Sequence, residues 1–201
     1  IILPQLGATG VAAHEVREKS GFNVTYGPVK AEDLIKFLQE NYKATPEMRE
    51  VTFNFIDRLT LVPVEFVLGL KYLLPTVIVF FFLGGISSVL NVLLAYLAGT
   101  ILGPALLPWL PGRAFSIKGL FAGLIGYGLA FWLGTLGSTN LELVSWLLMM
   151  LPVASYLTMN FTGSSTYTSL SGVLKEMKYA LPVQFTSVII GIILWIITRL
   201  I

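Results

Sequence analysis

From Tyr72 to Ile201 the chain carries only seven charged side chains: Arg113, Lys118, Glu142, Lys175, Glu176, Lys178 and Arg199. Residues 1–71 hold the other eight basic and nine acidic groups. This segregation constrains the fold more than any motif does. A soluble domain carries about a quarter charged residues, whereas here 55% of the chain is hydrophobic and 12% charged. A short polar head is therefore expected in front of a long membrane body.

A helix that crosses the hydrocarbon core needs about 20 mainly apolar residues. Five segments are expected to do so. The first covers about 73–86 and starts at Pro63 at the earliest; the others cover about 88–109, 117–133, 141–161 and 181–201. Backbone groups cannot stay unpaired in lipid, so these segments should be helical. If the head is cytoplasmic, Lys71, Arg113, Lys118, Lys175 and Lys178 all fall on the cytoplasmic side, and the C-terminus is external. The opposite loops, "LGGISS" and "GTLGSTNLE", contain no lysine or arginine, and Arg199 is the one exception. Trp109, Trp132, Trp146 and Trp195 lie near the expected helix ends, as an aromatic belt requires. No ionisable group sits mid-segment, so the body lacks the usual mark of an ion pathway. Asn91, Asn160 and Tyr127 are read as inter-helix hydrogen-bonding groups. "GTILG" and "GLFAG" are read as sites of close helix approach.

The head reads as β-turn-α-β-α. "IILPQ" is a short strand and "LGATG" a turn. "VAAHEVREKS" is a helix with Val11, Ala12 and Val16 inward, stopped by Gly21. "FNVTYGP" is a second strand, and "KAEDLIKFLQENY" a second helix with Leu34, Ile35 and Leu38 inward. Alternating elements of this kind build parallel sheets, whose ligands bind beyond the carboxyl ends of the strands. "QLGATG" occupies that place after the first strand and "YGPV" after the second. The candidate ligand-contacting residues are thus Gln5, Leu6, Gly7, Ala8, Thr9, Gly10, Gly27 and Pro28. Glycines there let a backbone approach a flat ligand; a plain tight turn explains "GATG" equally simply. His14, on the first helix, reads as a surface side chain. About 45 residues cannot bury a proper core alone, since domains are marginal even near 60. The sheet is therefore expected to continue outside this sequence, with the chain as the C-terminal part of a longer protein.

The small net charge of +2 gives no reason to expect nucleic acid. With no cysteine, disulfides, thiolate metal sites and a cysteine nucleophile are excluded within these residues. The first stretch has no basic region and is not a signal peptide. Residues 51–71 are expected to be a linker with an interfacial segment, Glu65 staying at headgroup level. "TGSSTYTSLSG" (162–172) places seven hydroxyl residues in a loop on the head's side; it reads as a solvated loop or as a docking surface.

The strings "ILPQLGATGVAAHEV", "SGFNVTYGPVKAEDL", "ATPEMREVTFNFIDRLTLVPVE" and "NFTGSSTYTSLSGVLKEM" together resemble the corrinoid protein of the mercury-methylation pair of anaerobic bacteria and archaea. The resemblance covers nearly the whole chain. It implies a mainly α, polytopic membrane protein of about five transmembrane helices, preceded by a partial α/β, Rossmann-like cobalamin-binding domain. That domain is related to the large subunit of the corrinoid iron–sulfur protein. The division implied is 1–50 for the corrinoid-binding part, 51–71 for the linker and 72–201 for the membrane domain. The implied activity is transfer of a methyl group from a folate-type donor to cobalt and on to Hg(II), with a two-[4Fe–4S] ferredoxin-like partner keeping the cobalt reduced. The family's cobalt ligand is a cysteine in an "NVWCAAGK"-type motif, which this sequence lacks. The ligand is therefore expected outside these residues, and the 201 residues alone should be inactive as a methyltransferase. A thiolate ligand suits the chemistry, because a soft donor favours transfer to a soft cation. The alternative reading is a membrane anchor or small permease with a vestigial soluble domain.

Overall fold

The structure is a computed structural model. It describes residues 1–51, 54–161 and 170–200, without the side chains of Leu170 and Ser171. The chain forms two compact units, Ile1–Thr52 and Phe53–Ile201.

In the first unit, β1 (Ile2–Leu3) and β2 (Thr25–Tyr26) pair in parallel, Ile2 opposite Thr25 and Leu3 opposite Tyr26. The crossover consists of a 3₁₀ turn, Gln5–Thr9, and α1 (Ala13–Ser20). Gly21 ends α1 in the left-handed conformation, φ 75°, its N–H donating to the Arg17 carbonyl. A further 3₁₀ turn, Ala31–Asp33, leads into α2 (Leu34–Gln39).

Two expectations for the head are corrected. No clear Rossmann-like domain is present among the described residues: the sheet has two strands of two residues each. A doubly wound sheet needs several strands with helices covering both faces, and this unit has too few residues to supply them. The inward face of α2 also differs. Leu34, Ile35 and Leu38 are exposed, and Phe37 is the fully buried residue. With so narrow a sheet to cover, α2 inserts one ring, which meets Tyr42 edge-on at 5.9 Å, and leaves its other apolar side chains outside.

The second unit is helical. Asn54 starts α3 (Phe55–Leu97) with a reciprocal capping box. Asp57 N–H donates to Asn54 Oδ1 at 3.0 Å, and Asn54 N–H donates to Asp57 Oδ2 at 2.9 Å. The stretch expected as a linker therefore lies mostly within this helix, with Pro63 and Pro75 inside it. At Gly85 the backbone leaves helical geometry, φ 69° and ψ −165°. The chain reverses there. Tyr96 Oη donates to the Phe66 carbonyl and the two rings lie 5.4 Å apart, whereas a straight helix would hold these residues about 45 Å apart. The arms 55–84 and 86–106 thus form a hairpin. The second arm ends through a π-helical turn, Ala98–Leu102, and the short α4 (Gly103–Leu106).

Then follow α5 (Phe115–Trp132), α6 (Asn140–Asn160) and α7 (Leu170–Leu200). Four helices are long and apolar enough to cross a membrane: Phe55–Leu106, Phe115–Trp132, Asn140–Asn160 and Gly172–Leu200. The first two of the five expected segments are the two arms of one of these helices.

α6 is the central element. A Cβ on Gly119 would come within 2.6 Å of Ser155 Cα, and one on Gly123 within 3.0 Å of Leu151 Cα. From the other side, a Cβ on Gly99 would sit 2.6 Å from Leu157 Cβ, and one on Gly103 would overlap Thr158. Both glycine pairs thus bring their helices onto α6 at backbone contact. Polar links join the same helices. Asn91 donates to the Thr135 carbonyl at 2.9 Å and accepts from Thr135 Oγ1 at 2.5 Å. Tyr127 Oη donates to the Leu143 carbonyl at 3.0 Å. Asn160, read with these two, is exposed.

Two of the four tryptophans are not belt residues. Trp146 and Trp195 are each 2% exposed. With Phe80 they form an aromatic cluster, its ring centroids 5.1–6.1 Å apart. Large rings bury too much apolar area to be left at the rim when a neighbouring helix can cover them. Trp109 and Trp132 are largely exposed. Arg199, the exception to the charge pattern, lies 3.9 Å from Glu142.

Candidate functional site

The candidate site in the first unit is built by the two parallel strands. Leu3 accepts from the Gly27 N–H at 2.7 Å, and the Pro28 carbonyl accepts from the Gln5 N–H at 3.5 Å. The segments following β1 and β2 are thereby brought side by side at the carboxyl ends of the strands. Tyr26 Oη donates to the Val11 carbonyl at 2.6 Å and ties the end of the turn to β2.

The eight candidate residues divide into two groups. Gly27 and Pro28 are buried. A Cβ on Gly27 would lie 2.9 Å from Ile2 Cγ2 and 3.6 Å from the Phe37 ring, so this glycine serves strand packing. Gln5, Leu6, Gly7, Ala8 and Thr9 form the 3₁₀ turn, and Gly10 ends it with φ −105°. "LGATG" is thus helical in local geometry, and neither of its glycines adopts the left-handed conformation. A Cβ on Gly7 would meet nothing within 4 Å, and one on Gly10 only the Gly7 carbonyl at 3.9 Å. Leu6 is 60% exposed beside them. Thr9 Oγ1 donates back to the Leu6 carbonyl at 3.4 Å. A shallow hollow of about 400 Å³ runs from Gly10 along Ala12, Glu15 and Lys19. Within the unit, then, Gly7 and Gly10 answer to no steric demand of the chain itself.

The donors that could hold a metal are sparse. His14 is exposed at the second position of α1. Among the described residues no three His, Asp or Glu side chains converge. The turn presents an open backbone edge and an exposed leucine, and Gln5–Gly10 contain no His, Asp or Glu. The hydroxyl-rich stretch lies outside the described residues at 162–169.

The helical unit contains a polar residue that the sequence reading passed over. Gln184 is 7% exposed. Its readable signal was a lone amide in an apolar run, "LPVQFTSVII", where any buried polar group asks for a partner. Gln184 Nε2 donates to Ser155 Oγ at 2.8 Å, and Ser155 Oγ donates to the Ser116 carbonyl at 2.7 Å. Glu176 accepts from the Ser116 N–H, so this chain of bonds joins α5, α6 and α7.

The chain matches none of the protein families, curated proteins or solved structures with which it was compared.

Proposed function

We propose that this chain is the membrane-bearing part of a corrinoid methyl carrier that delivers a methyl group to Hg(II). The support is the likeness of the four sequence strings, together with one observation of geometry. The segments that follow two parallel strands lie side by side, and Gly7 and Gly10 present an open edge that the chain's own packing does not require. When bound, cobalamin supplies the cobalt that carries the methyl group. On this reading Gln5–Gly10 form a wall against the ring's periphery, and Gly27 and Pro28 hold that wall in place from behind. The cobalt ligand, a cysteine in the family resembled, is expected in sequence outside these residues, and no step at cobalt is derived from this chain. The ferredoxin-like reductant, the folate-type donor and Hg(II) are expected partners on the same ground.

The alternative, a membrane anchor or small permease with a vestigial soluble domain, has in its favour a side-opening cavity in the membrane unit. The upstream coding sequence distinguishes the two. A cysteine motif for cobalt and a neighbouring gene for a two-cluster ferredoxin favour the carrier; an unrelated upstream region favours the anchor. The direct test is cobalamin content per protein in the purified longer protein. Gly10→Val should lose most of its cobalamin at an unchanged thermal midpoint, because the new side chain occupies the ring's space. Normal content at normal stability removes the site assignment.

A further inference from the structure

The helical unit contains a cavity of about 770 Å³, within the range of small-molecule sites. Its walls are the two arms of the hairpin, α6 and α7, and they are apolar almost throughout, with Val92, Ala95, Met149 and Val188 among the lining residues. One end is closed by Phe80, whose ring packs against both Trp146 and Trp195. Toward the other end, Tyr72 on the first arm and Phe185 on α7 line the cavity and are 68% and 63% exposed. The cavity therefore opens along the side of the bundle, between those two helices.

The one charged side chain between Phe66 and Leu106 stands at this opening. Lys71 is exposed, and its ammonium lies over the Tyr72 ring, 4.8 Å from the centroid. Because Tyr72 lines the cavity, the positive charge is held at its mouth. Among the described residues Lys71 makes no ion pair. Its depth fits a lipid as well. Lys71 precedes the reversal at Gly85 by 14 residues, about 21 Å along the arm. With Gly85 at one face of a hydrocarbon core about 30 Å thick, the Lys71 backbone lies about 9 Å inside the other face. A charge left at that depth is costly, and the long stem carries it outward toward the lipid phosphates. The cavity runs the opposite way along the arm, from Tyr72 inward to Phe80. A cation at the headgroup end and an apolar slot leading inward match a molecule with an anionic head and a long apolar tail.

We propose that this cavity takes up one acyl chain of an anionic phospholipid, whose phosphate is held at the mouth by Lys71. The inference needs the helical unit to lie in a bilayer, which both functional readings share; it makes no use of the corrinoid site.

The test uses the whole chain carrying Trp109→Phe and Trp132→Phe, so that only Trp146 and Trp195, at the cavity's closed end, report. It is reconstituted in phosphatidylcholine nanodiscs with rising fractions of phosphatidylglycerol or phosphatidylcholine brominated mid-chain, and bromine quenching of tryptophan is followed. Half-maximal quenching should need about a five-fold lower fraction of the brominated phosphatidylglycerol, the preference one lysine near the surface supplies. Lys71→Gln should bring the two lipids together. Arg113→Gln, which removes the same charge from the loop before α5, should keep the preference. Val188→Phe, which fills the cavity, should reduce quenching by both lipids. Lys71→Gln lies on an exposed face, so its arm reads out even if the larger ring disturbs the bundle, which elution profile and thermal midpoint show. Equal quenching of the parent chain by the two lipids overturns the proposal. So does a preference that survives Lys71→Gln or is lost equally in Arg113→Gln, or quenching unchanged in a folded Val188→Phe. A chain that does not float with liposomes overturns the membrane reading itself, and the proposal with it.

Discussion

Gly27 and Gly10 lie at the same edge of the head yet answer to different demands. Gly27 is held by packing, with Ile2 Cγ2 2.9 Å from where a Cβ would stand. Gly10 faces open space. Gly27→Val should therefore destabilise the head by about 1–3 kcal/mol, the usual cost of overpacking. Gly10→Val should change the stability of this chain by less than about 0.5 kcal/mol. Pulse proteolysis of the whole chain, read as cleavage within residues 1–51, checks both. If the two variants behave alike, the contrast drawn between a packing glycine and an open one is wrong. The pair Asn91 and Thr135 makes a similar case in the membrane unit. Thr135→Val removes the donor to Asn91 Oδ1 and leaves that buried oxygen unpaired, for a loss of about 1–2 kcal/mol in the stability of the bundle in detergent.

Among the elements, α3 is the one whose form is least like its length. Its two arms lie antiparallel because Gly85 adopts a left-handed φ of 69°, a conformation that costs a residue with a side chain about 1 kcal/mol or more. The chain has no cysteine, so a pair introduced at the exposed positions Val67 and Leu97 can be joined by a short bis-maleimide only if the arms are folded together. Their neighbours Phe66 and Tyr96 meet across the hairpin, and a straight helix would place 67 and 97 about 45 Å apart. Efficient crosslinking within one chain is expected; its absence, with both thiols shown to be reactive, contradicts the hairpin. The α5–α6 contact makes a second demand on side-chain size. Gly119 faces Ser155 Cα, which is backbone and cannot rotate away. Gly119→Leu should separate the two helices and lower the thermal midpoint markedly, whereas Gly128→Leu, where a Cβ meets nothing within 4 Å, should be tolerated.

At the scale of the whole molecule, the helical unit has two chemically different ends. Lys118 donates to the Leu107 carbonyl at one end, and Arg113, Lys175 and Lys178 belong to the same end by chain direction. At the other, Arg199 is met by Glu142, whose carboxylate also takes the Ser138 N–H at 3.0 Å. The excess of basic over acidic residues thus falls at the first end, and the positive-inside tendency predicts that end to be cytoplasmic. Reporter fusions should read cytoplasmic at Gly112 and external at Ser138; the reverse defeats the orientation.

The long apolar helices of residues 72–201 were legible in the sequence, because charge scarcity and apolar runs are visible without coordinates and a long apolar chain is left few options but helices. The close-packing glycines were legible for a related reason: the spacing of Gly99 and Gly103, or of Gly119 and Gly123, puts both members on one helix face. The parallel pairing of the head's two strands followed from their separation by a helix. What tertiary structure alone decided is whatever depends on the neighbour a residue meets. The reversal at Gly85 is not such a case, since "LGGISS" already reads as a loop between the first two apolar segments. The burial of Phe37 in place of Leu34, Ile35 and Leu38 is one, because the inward face of α2 depends on how much sheet there is to cover. The withdrawal of Trp146 and Trp195 from the rim, and the pairing of Gln184 with Ser155, are others. Composition and period act along the chain, but a ring's burial and an amide's partner are set by side chains dozens of residues away, and only the folded bundle brings those together.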